Sequence, residues 1–314
     1  MAARILAVGE SIMDVVVRDG ATQAHPGGSP ANIAYGAARL GHPASLLTAL
    51  GDDEYGQAIA QHLDSAGVAL LESSWRSEPT STATATIGPD GSAHYDFDVR
   101  WSIPEGAVVP AADLLHTGSI AAFLEPGASA VEALVESSRP RTIITLDPNI
   151  RPALVGSHPE ASARFERLAA LADLVKLSDE DAEWLYPGLS LDDAAQRILA
   201  LGPLCVAVTR GADGALLVSP SASVSVPGRR VEVADTIGAG DSFMSALLHV
   251  IATDLDEDAD GGAPVEASAW RSTTAFDERM LARLGDVAVR CAAITCSRPG
   301  AAPPTAAELA AASA

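Results

Sequence analysis

The chain has 314 residues, 48% of them apolar, and a formal net charge of −21, which is enough apolar material for one or two soluble domains. No run of about 18 uncharged apolar residues occurs, so the sequence predicts no membrane span. The acidic balance argues against nucleic-acid binding, because phosphate contacts need clustered Lys and Arg. The first residues lack the apolar core and cleavage site of a signal peptide, and we therefore expect a cytoplasmic protein.

Short apolar runs alternate with amphipathic segments along the chain. The runs at 4–9, 44–50, 113–118, 141–147, 173–178 and 204–211 are typical of buried strands. Helices are predicted at 29–41, 54–65, 126–138, 160–172, 191–201, 240–252 and 276–295, the first with Ser29 as its N-cap and Pro30 as its first helical residue. This alternation indicates an α/β fold with a mainly parallel sheet, in which ligands bind at the carboxyl ends of the strands.

Three segments depart from this rhythm. Residues 80–101 alternate with a period of two around "GPDG", which indicates a hairpin, and residues 14–20 have the same character. These strands could form a small sheet over the site or an antiparallel edge of the main sheet, and the pattern does not separate the two. Residues 253–278 are acidic and contain Gly-Gly and Pro, which predicts a solvated loop.

The string "DTIGAGD" at 235–241 joins two glycines to a helix start. Gly238 and Gly240 let amide N–H groups point into one concavity, and the following helix adds partial positive charge at its N-terminus. Beside this anion hole, Asp241 would be either a general base for a hydroxyl proton or an ordinary helix cap. Lys176 is the only lysine and no GxxxxGK[ST] string occurs, so amides, arginines or a metal would have to hold any phosphate.

A second group of polar residues lies near the N-terminus. In "HPGGSPAN" (25–32), a Gly-Gly turn precedes Asn32, while Asp14 follows the first strand. A carboxylate, a carboxamide and free amides at one strand end can hydrogen-bond several hydroxyls of a polyol. Taken singly, each residue is a weak indication, because an asparagine near a helix start, such as Asn32, is a cap in most chains and an aspartate such as Asp14 is more often a solvated loop acid.

The family that the sequence resembles is the ribokinase/PfkB family of carbohydrate kinases. Its two signature motifs are matched by "GGSPANIAYGAARLG" (27–41) and "DTIGAGDSFMSALL" (235–248), and "GDDEYG", "DPNIR", "VTRGADGALL" and "TCSRPGAAPPT" agree with it. "DPNIR" looks most like the fructokinase branch. The resemblance implies a ribokinase-like three-layer α/β/α sandwich with a small β-sheet lid, in a single kinase domain over 1–314 whose lid strands lie within about 14–20 and 80–101.

The resemblance also implies roles for individual residues. Asp241 would be the catalytic base. Charge on the transferring phosphate of ATP would be neutralised by the amides of Gly238, Ala239 and Gly240. Sugar contacts are implied for Asp14, Gly28, Asn32, Phe97 and Arg151, and nucleotide contacts for Thr209, Gly211, Ala292 and Cys296. A monovalent cation such as K⁺ would lie beside Asp235 and the turn at Gly300.

One string departs from the family pattern. The family usually has Asn-x-x-Glu where this chain has Ser178 to Asp181 in "VKLSDEDAEWL". The shorter Asp181 still offers Mg²⁺ a hard oxygen ligand through an added water. Ser178 keeps a hydrogen bond for the nucleotide site but lacks the amide.

The expected activity is transfer of the γ-phosphate of ATP to a primary hydroxyl of a sugar, with fructose as the expected substrate and fructose 6-phosphate as product. A 2-keto-3-deoxygluconate kinase, or another sugar kinase of the family, is the alternative, and the acid substrate would need a second arginine, for which Arg100 is the candidate. A non-catalytic sugar-binding regulator is the alternative from another class. The expected partners are a sugar and ATP, without nucleic acid or membrane, and pairing of two lid sheets would give a homodimer.

Overall fold

The computed structural model describes residues 2–18, 20–88, 93–104, 106–258, 267–271 and 276–312. Its strands are β1 (Ile5–Val8), β2 (Ile12–Arg18), β3 (Ala21–Gly27), β4 (Ala44–Leu47), β5 (Leu50–Gly51), β6 (Ala69–Leu70), β7 (Trp75–Arg76), β8 (Thr82–Ile87), β9 (Ala93–Asp98), β10 (Leu114–Gly118), β11 (Ile143–Asp147), β12 (Leu174–Ser178), β13 (Cys205–Thr209), β14 (Ala215–Val218) and β15 (Ser223–Val226). Its α-helices are α1 (Ser29–Arg39), α2 (Glu54–Asp64), α3 (Gly127–Ser138), α4 (His158–Leu171), α5 (Asp179–Leu185), α6 (Leu191–Leu199), α7 (Ala239–Asp258), α8 (Ala267–Trp270), α9 (Glu278–Cys296) and α10 (Ala306–Ala311).

Nine strands form the large sheet, in the order β15-β14-β13-β12-β11-β10-β1-β4-β6. In this sheet, neighbouring strands pair in parallel among β13, β12, β11, β10, β1, β4 and β6. Strands β14 and β15 add an unpredicted antiparallel hairpin at one edge. Alternate residues of β1 enter two different cores: Ile5 and Ala7 pack with α1, α7 and α9, whereas Leu6 and Val8 pack with α3, α4 and α6. The predicted α/β class and its three layers are therefore confirmed.

A separate four-stranded sheet has the order β3-β2-β8-β9. Strands β8 and β9 are the predicted antiparallel hairpin, and β2 pairs with β8, so both predicted segments belong to one small sheet rather than to an edge of the large one. Residues 89–92, which include most of the predicted turn, lie outside the described residues. Strand β3 escaped prediction because its first five residues are all exposed, which leaves no apolar alternation to detect.

Residues 259–266 and 272–275 of the acidic segment 253–278 lie outside the described residues, and the described parts differ from the predicted loop. Helix α7 continues into it as far as Asp258, and α8 lies within it. Leu255 and Trp270 are buried against the core formed by α1, α7 and α9. The high charge of the segment hides these few buried apolar residues, which is why composition alone favoured a solvated loop.

The start of α1 also differs from its prediction. The N-cap is Gly28, with φ of +101°, and Ser29 is already helical and makes no cap hydrogen bond. A side chain at position 28 would place its Cβ 2.6 Å from the carbonyl oxygen of Glu10, so glycine is required there. The prediction of Ser29 as N-cap is therefore wrong, and its hydroxyl is available for another partner.

Helices α1 and α7 cross at close range. A Cβ built on Gly36 would lie 2.3 Å from Ser245 Oγ and 2.8 Å from Ser245 Cβ. Ser245 Oγ also lies 3.2 Å from the carbonyl oxygen of Ile33, across the crossing. The absence of a side chain at position 36 thus sets the distance between the two helices and brings their first turns together.

We predict that Gly36→Val lowers the free energy of unfolding by about 2 kcal/mol or more, because over-packing a close contact typically costs about 1–3 kcal/mol and valine gains little as a helix former. Urea denaturation would measure the loss. Ala38→Val, at a half-buried position on the same helix, is the matched control and should cost less than about 1 kcal/mol. Equal midpoints for the two variants would show that the close crossing is not a constraint.

Candidate active site

Asp241 lies in the first turn of α7, and its carboxylate is held by α1. Oδ1 accepts a hydrogen bond from Ser29 Oγ at 2.6 Å, and Oδ2 accepts one from Asn32 Nδ2 at 2.8 Å. Asp241 is half-buried. Because both oxygens are bonded to the neighbouring helix, the alternative in which Asp241 is an ordinary cap of its own helix does not apply. Two donors fix the direction in which this carboxylate points.

The glycine turn before α7 makes a close contact at Gly238. Gly238 has φ of +74°, and a Cβ there would lie 2.5 Å from the Ala301 side chain. The amide of Ser242 donates to the Gly238 carbonyl oxygen at 2.8 Å, and the amides before it belong to the helix start, where N–H groups lack helical acceptors. With the helix dipole, these amides make the turn suitable for a phosphate.

One row of the small sheet carries two of the predicted sugar contacts. Asp14 pairs with His25 on one side and with Ala83 on the other, and Ala83 pairs with Phe97. Residues directly opposite one another in a sheet project from the same face. Asp14 and the exposed ring of Phe97 therefore share a face of this sheet.

Asp14 and Asp241 lie close enough to interact electrostatically. Burial raises the pKa of Asp14 to about 6, His25 and Arg151 oppose the increase, and the charge of Asp241 adds to it. A Cβ on Gly27 would lie 2.1 Å from Asp14 Oδ2, so the glycine makes room for the carboxylate. The structure thus brings Asp14, Arg151 and Asp241 together around the N-terminal turn of α1.

The loop "DPNIR" is held by α5. Asn149 has φ of +37°, and the next amide, of Ile150, donates to Asp181 Oδ1 at 2.8 Å. Arg151 is exposed, and its Nη1 donates to the carbonyl oxygen of Ile150 at 3.1 Å. The guanidinium therefore lies at the exposed rim of this group of residues, near enough to Asp14 to influence its pKa.

Ser178 and Thr209 lie side by side, paired in register at the carboxyl ends of β12 and β13. Ser178 Oγ accepts from the Asp181 amide at 3.0 Å, and Asp181 Oδ2 accepts from the Ser178 amide at 3.0 Å, so the two form a reciprocal cap of α5. Gly211 follows in a short turn with φ of +50°. The cap explains the serine and aspartate at this place without reference to a ligand.

Asp235 lies at the far end of the glycine turn. Its Oδ2 accepts from the Gly300 amide and its Oδ1 from the Ile237 amide, both at 3.0 Å, and these bonds, the one from Ile237 first, lower its pKa. The amides of Ala234 and Asp235 donate to the carbonyl oxygen of Cys296 at the end of α9. Cys296 and Ala292 are both half-buried on this helix, one turn apart. The structure therefore brings Asp235, Gly300 and Cys296 together, away from Asp14.

Lys176 is the functional candidate that sequence reasoning missed. It lies on β12 with its side chain 5% exposed, and Nζ bonds to Asp147 Oδ2 at 2.8 Å. A Cβ built on Gly240 would lie 3.1 Å from Nζ, so the ammonium rests directly against the glycine turn. The available signal was a lysine inside the apolar run "DLVKLS", where an ionisable residue has to be paired.

In the part of the chain that the structure describes, neither a metal-binding cluster nor a membrane-spanning helix is present. There, no three His, Cys, Asp or Glu side chains are grouped as a metal site. Nor does any helix within the described residues have the length and apolar character needed to cross a membrane.

We predict that Asp14→Asn stabilises the free protein at pH 8. The raised pKa means that the folded protein binds the proton more tightly than the unfolded chain, so the ionised carboxylate costs stability above pH 6, by about 1–3 kcal/mol for a shift of this size. Urea unfolding should show this gain at pH 8 and a smaller one near pH 4, where the native carboxyl is protonated. Asp192→Asn, exposed on α6, should show no such pH dependence. A gain of equal size at both pH values would contradict the prediction.

Comparison with known proteins identifies the same family as the sequence motifs do. The model of the pfkB family of carbohydrate kinases matches residues 2–308. The chain is 33% identical over 258 residues to a fructokinase of Rhizobium leguminosarum bv. trifolii, covering 78% of each protein, and 32% identical over 317 residues to a fructokinase of Escherichia coli, covering 96% of this chain and 95% of that one. A solved double mutant of the fructokinase of Vibrio cholerae O395, in its fructose-, ADP- and potassium-bound form, aligns over 99% of both chains with a TM-score of 0.80 and 26% identity.

The fold is shared as well as the sequence, since the three layers and the small sheet are those of the ribokinase-like kinases. Because the family match covers nearly the whole length and its two signature motifs meet at Asp241, the chain belongs to the pfkB family of carbohydrate kinases.

Proposed function

We propose that this carbohydrate kinase is a fructokinase, which transfers the γ-phosphate of ATP to the 6-hydroxyl of fructose and forms fructose 6-phosphate. The observation that carries the proposal is the double hydrogen bond from Ser29 and Asn32 to Asp241, at the amide-rich start of α7. Asp14 and Arg151 lie close enough to couple to the same site. The fructokinases among the relatives support fructose as the sugar.

In this proposal Asp241 is the general base. The 6-hydroxyl oxygen bonds to the γ-phosphorus, the bond from that phosphorus to the β-phosphate oxygen breaks, and the hydroxyl proton passes to Asp241. Ser29 and Asn32 aim the carboxylate, so that one oxygen lone pair faces the hydroxyl. The amides of Gly238, Ala239 and Gly240 receive the charge that develops on the transferring phosphate.

Sugar binding is assigned to the N-terminal residues. Asp14 accepts hydrogen bonds from sugar hydroxyls, the region of Gly28 and Asn32 bounds the other side of the ring, and Arg151 closes the rim. The small sheet acts as a lid, a subdomain of the single kinase domain, and Phe97 covers the ring from the face that also carries Asp14. Such a lid would exclude water and limit wasteful hydrolysis of ATP.

The nucleotide is assigned to the other end of the site. Thr209 and Gly211 would line ATP, with Ser178 beside them, and adenine would lie against α9 near Ala292 and Cys296. The polar ends of β12 and β13 and the end of α9, all of them half-buried, support this side. A monovalent cation would lie beside Asp235, where a carboxylate already meets the Gly300 turn.

Mg²⁺ is the proposed metal, and the donor set of α5 fits it. Each oxygen of Asp181 accepts one main-chain N–H and keeps a further lone pair, which suits contact through water with a hard cation whose other ligands are phosphate oxygens. When bound, the metal would neutralise phosphate charge. Asp181 would orient the hydrated ion, and its bond to the Ile150 amide would link that position to the sugar-binding loop.

The alternatives have less support. A sugar acid such as 2-keto-3-deoxygluconate would need a second cation, but Arg100 Nη2 is paired with Asp98 Oδ1 at 2.9 Å. A sugar-binding regulator without turnover has no use for a carboxylate aimed by two donors beside an anion hole. A homodimer formed by two lids is compatible with the exposed face of the small sheet.

We predict that Asp241→Asn lowers kcat for fructose by about 10²- to 10⁴-fold, because the general base is lost while the size of the side chain is kept. ADP formation should be followed with fructose, ribose, 2-keto-3-deoxygluconate, mannose and adenosine. Asp192→Asn should retain wild-type kcat. Absence of turnover on every sugar would refute the proposed activity, and full activity of Asp241→Asn would remove Asp241 from its role.

We predict that Arg100→Ala leaves kcat/KM for fructose within about threefold of wild type, since the side chain is half-exposed and already paired with Asp98. Arg151→Ala should lower the same ratio at least tenfold if the rim arginine contacts sugar or phosphate, as a charge-assisted hydrogen bond would. Turnover of 2-keto-3-deoxygluconate that exceeds turnover of fructose and falls in Arg100→Ala would favour the sugar-acid alternative.

A further inference from the structure

We infer that Lys176 is a positioning residue of the phosphoryl-transfer site, where its buried ammonium supplies a fixed positive charge behind the glycine turn. The inference rests on the proposed kinase function and concerns a residue outside both signature motifs. It assigns the single lysine of an otherwise acidic chain to the place where phosphate charge develops.

The geometry places Lys176 beneath the turn. Strand β12 ends at Ser178 at the carboxyl edge of the large sheet, and Lys176, two residues earlier, points to the same side as Leu174, into the core shared with α7. Its Nζ lies 3.1 Å from the position that a Cβ on Gly240 would occupy. The ammonium is thus in contact with the residue whose amide is proposed to receive the phosphate.

The titratable groups that face Lys176 come from four elements. They are Asp147 at the end of β11, Asp181 on α5, Asp241 on α7 and His116 on β10. Burial lowers the pKa of Lys176, but the three carboxylates outweigh this, and its pKa is raised. Burial and the neighbouring Lys176 lower the pKa of His116 to about 3, so His116 is neutral and Lys176 is the cation of this group.

Stability alone does not account for the pair of Lys176 and Asp147. Replacing a buried ion pair with well-packed apolar residues is often neutral or stabilising, so a fold has no need of this pair for its own sake. A charge that is 5% exposed is little screened by water or salt, and it acts on nearby phosphate oxygens more strongly than a surface lysine would. Because the pair is in place before any ligand arrives, its charge requires no rearrangement during the reaction.

The test compares Asp147→Asn with the double variant Asp147→Asn, Lys176→Met. Lys176→Met alone would leave the Asp147 carboxylate, which is 1% exposed, without its cation and is expected to fold poorly. Asp147→Asn removes one partner of the same pair, but its lysine still faces the carboxylates of Asp181 and Asp241. When Asp147→Asn is already in place, Lys176→Met no longer leaves that carboxylate unpaired, and methionine keeps the length of the stem. The two proteins are compared in kcat for fructose and in affinity for ADP with aluminium fluoride and fructose, which mimics the transferring phosphate.

We expect kcat of the double variant to fall about tenfold or more below that of Asp147→Asn, with a similar loss of affinity for the fluoride complex and unchanged affinity for ADP alone. A purely structural lysine would change the stability but leave these differences absent.

Agreement of the two variants within about twofold in kcat and in affinity for the fluoride complex would overturn the inference, since a charge acting on the transition state has to affect both. If both variants turn over too slowly to compare, the affinity for the fluoride complex decides in the same way. Wild-type protein that phosphorylates no sugar would refute the proposed function instead, which separates the two failures.

Discussion

The structure of the site depends on the crossing of α1 and α7. Each helix carries one signature motif, and the two motifs are about 200 residues apart in the chain. Gly36 lets the axes approach until Ser245 lies against the backbone of α1. At that separation, Ser29 and Asn32 of one helix reach the carboxylate of Asp241 on the other. The close crossing therefore brings two separate motifs together around one carboxylate with a defined direction.

Charge is the second constraint, because a chain with a net charge of −21 is proposed to bind a highly anionic nucleotide. The structure provides positive charge locally, beside the glycine turn, rather than over the whole molecule. Amides at the start of a long helix provide part of it, and Lys176, buried against Gly240 and paired with Asp147, places a cation beside the turn. The surrounding carboxylates of Asp147 and Asp181 are held by a lysine and by main-chain N–H groups respectively.

Much of this architecture was predictable from local pattern. The strands of the large sheet have continuous apolar runs because both of their faces are covered, and the hairpin of β8 and β9 has period-two alternation. Strand β3 was not predictable, since its exposed residues carry no such period and it is held by backbone pairing to β2. Ser29 has the composition of an N-cap, yet its hydroxyl bonds to a residue more than 200 positions away. Local propensity cannot account for a partner of that kind.

By itself, the sequence determined the family, the layered α/β class and the positions of the proposed base and the glycine turn, because these depend on short strings and on periodicity along the chain. Tertiary structure alone decided what those groups contact. It showed Asp241 bonded to α1, Asp181 occupied by two main-chain amides and Lys176 lying against Gly240. The physical reason is that hydrogen bonds and charges act through space over a few ångströms, whereas sequence records only separation along the chain.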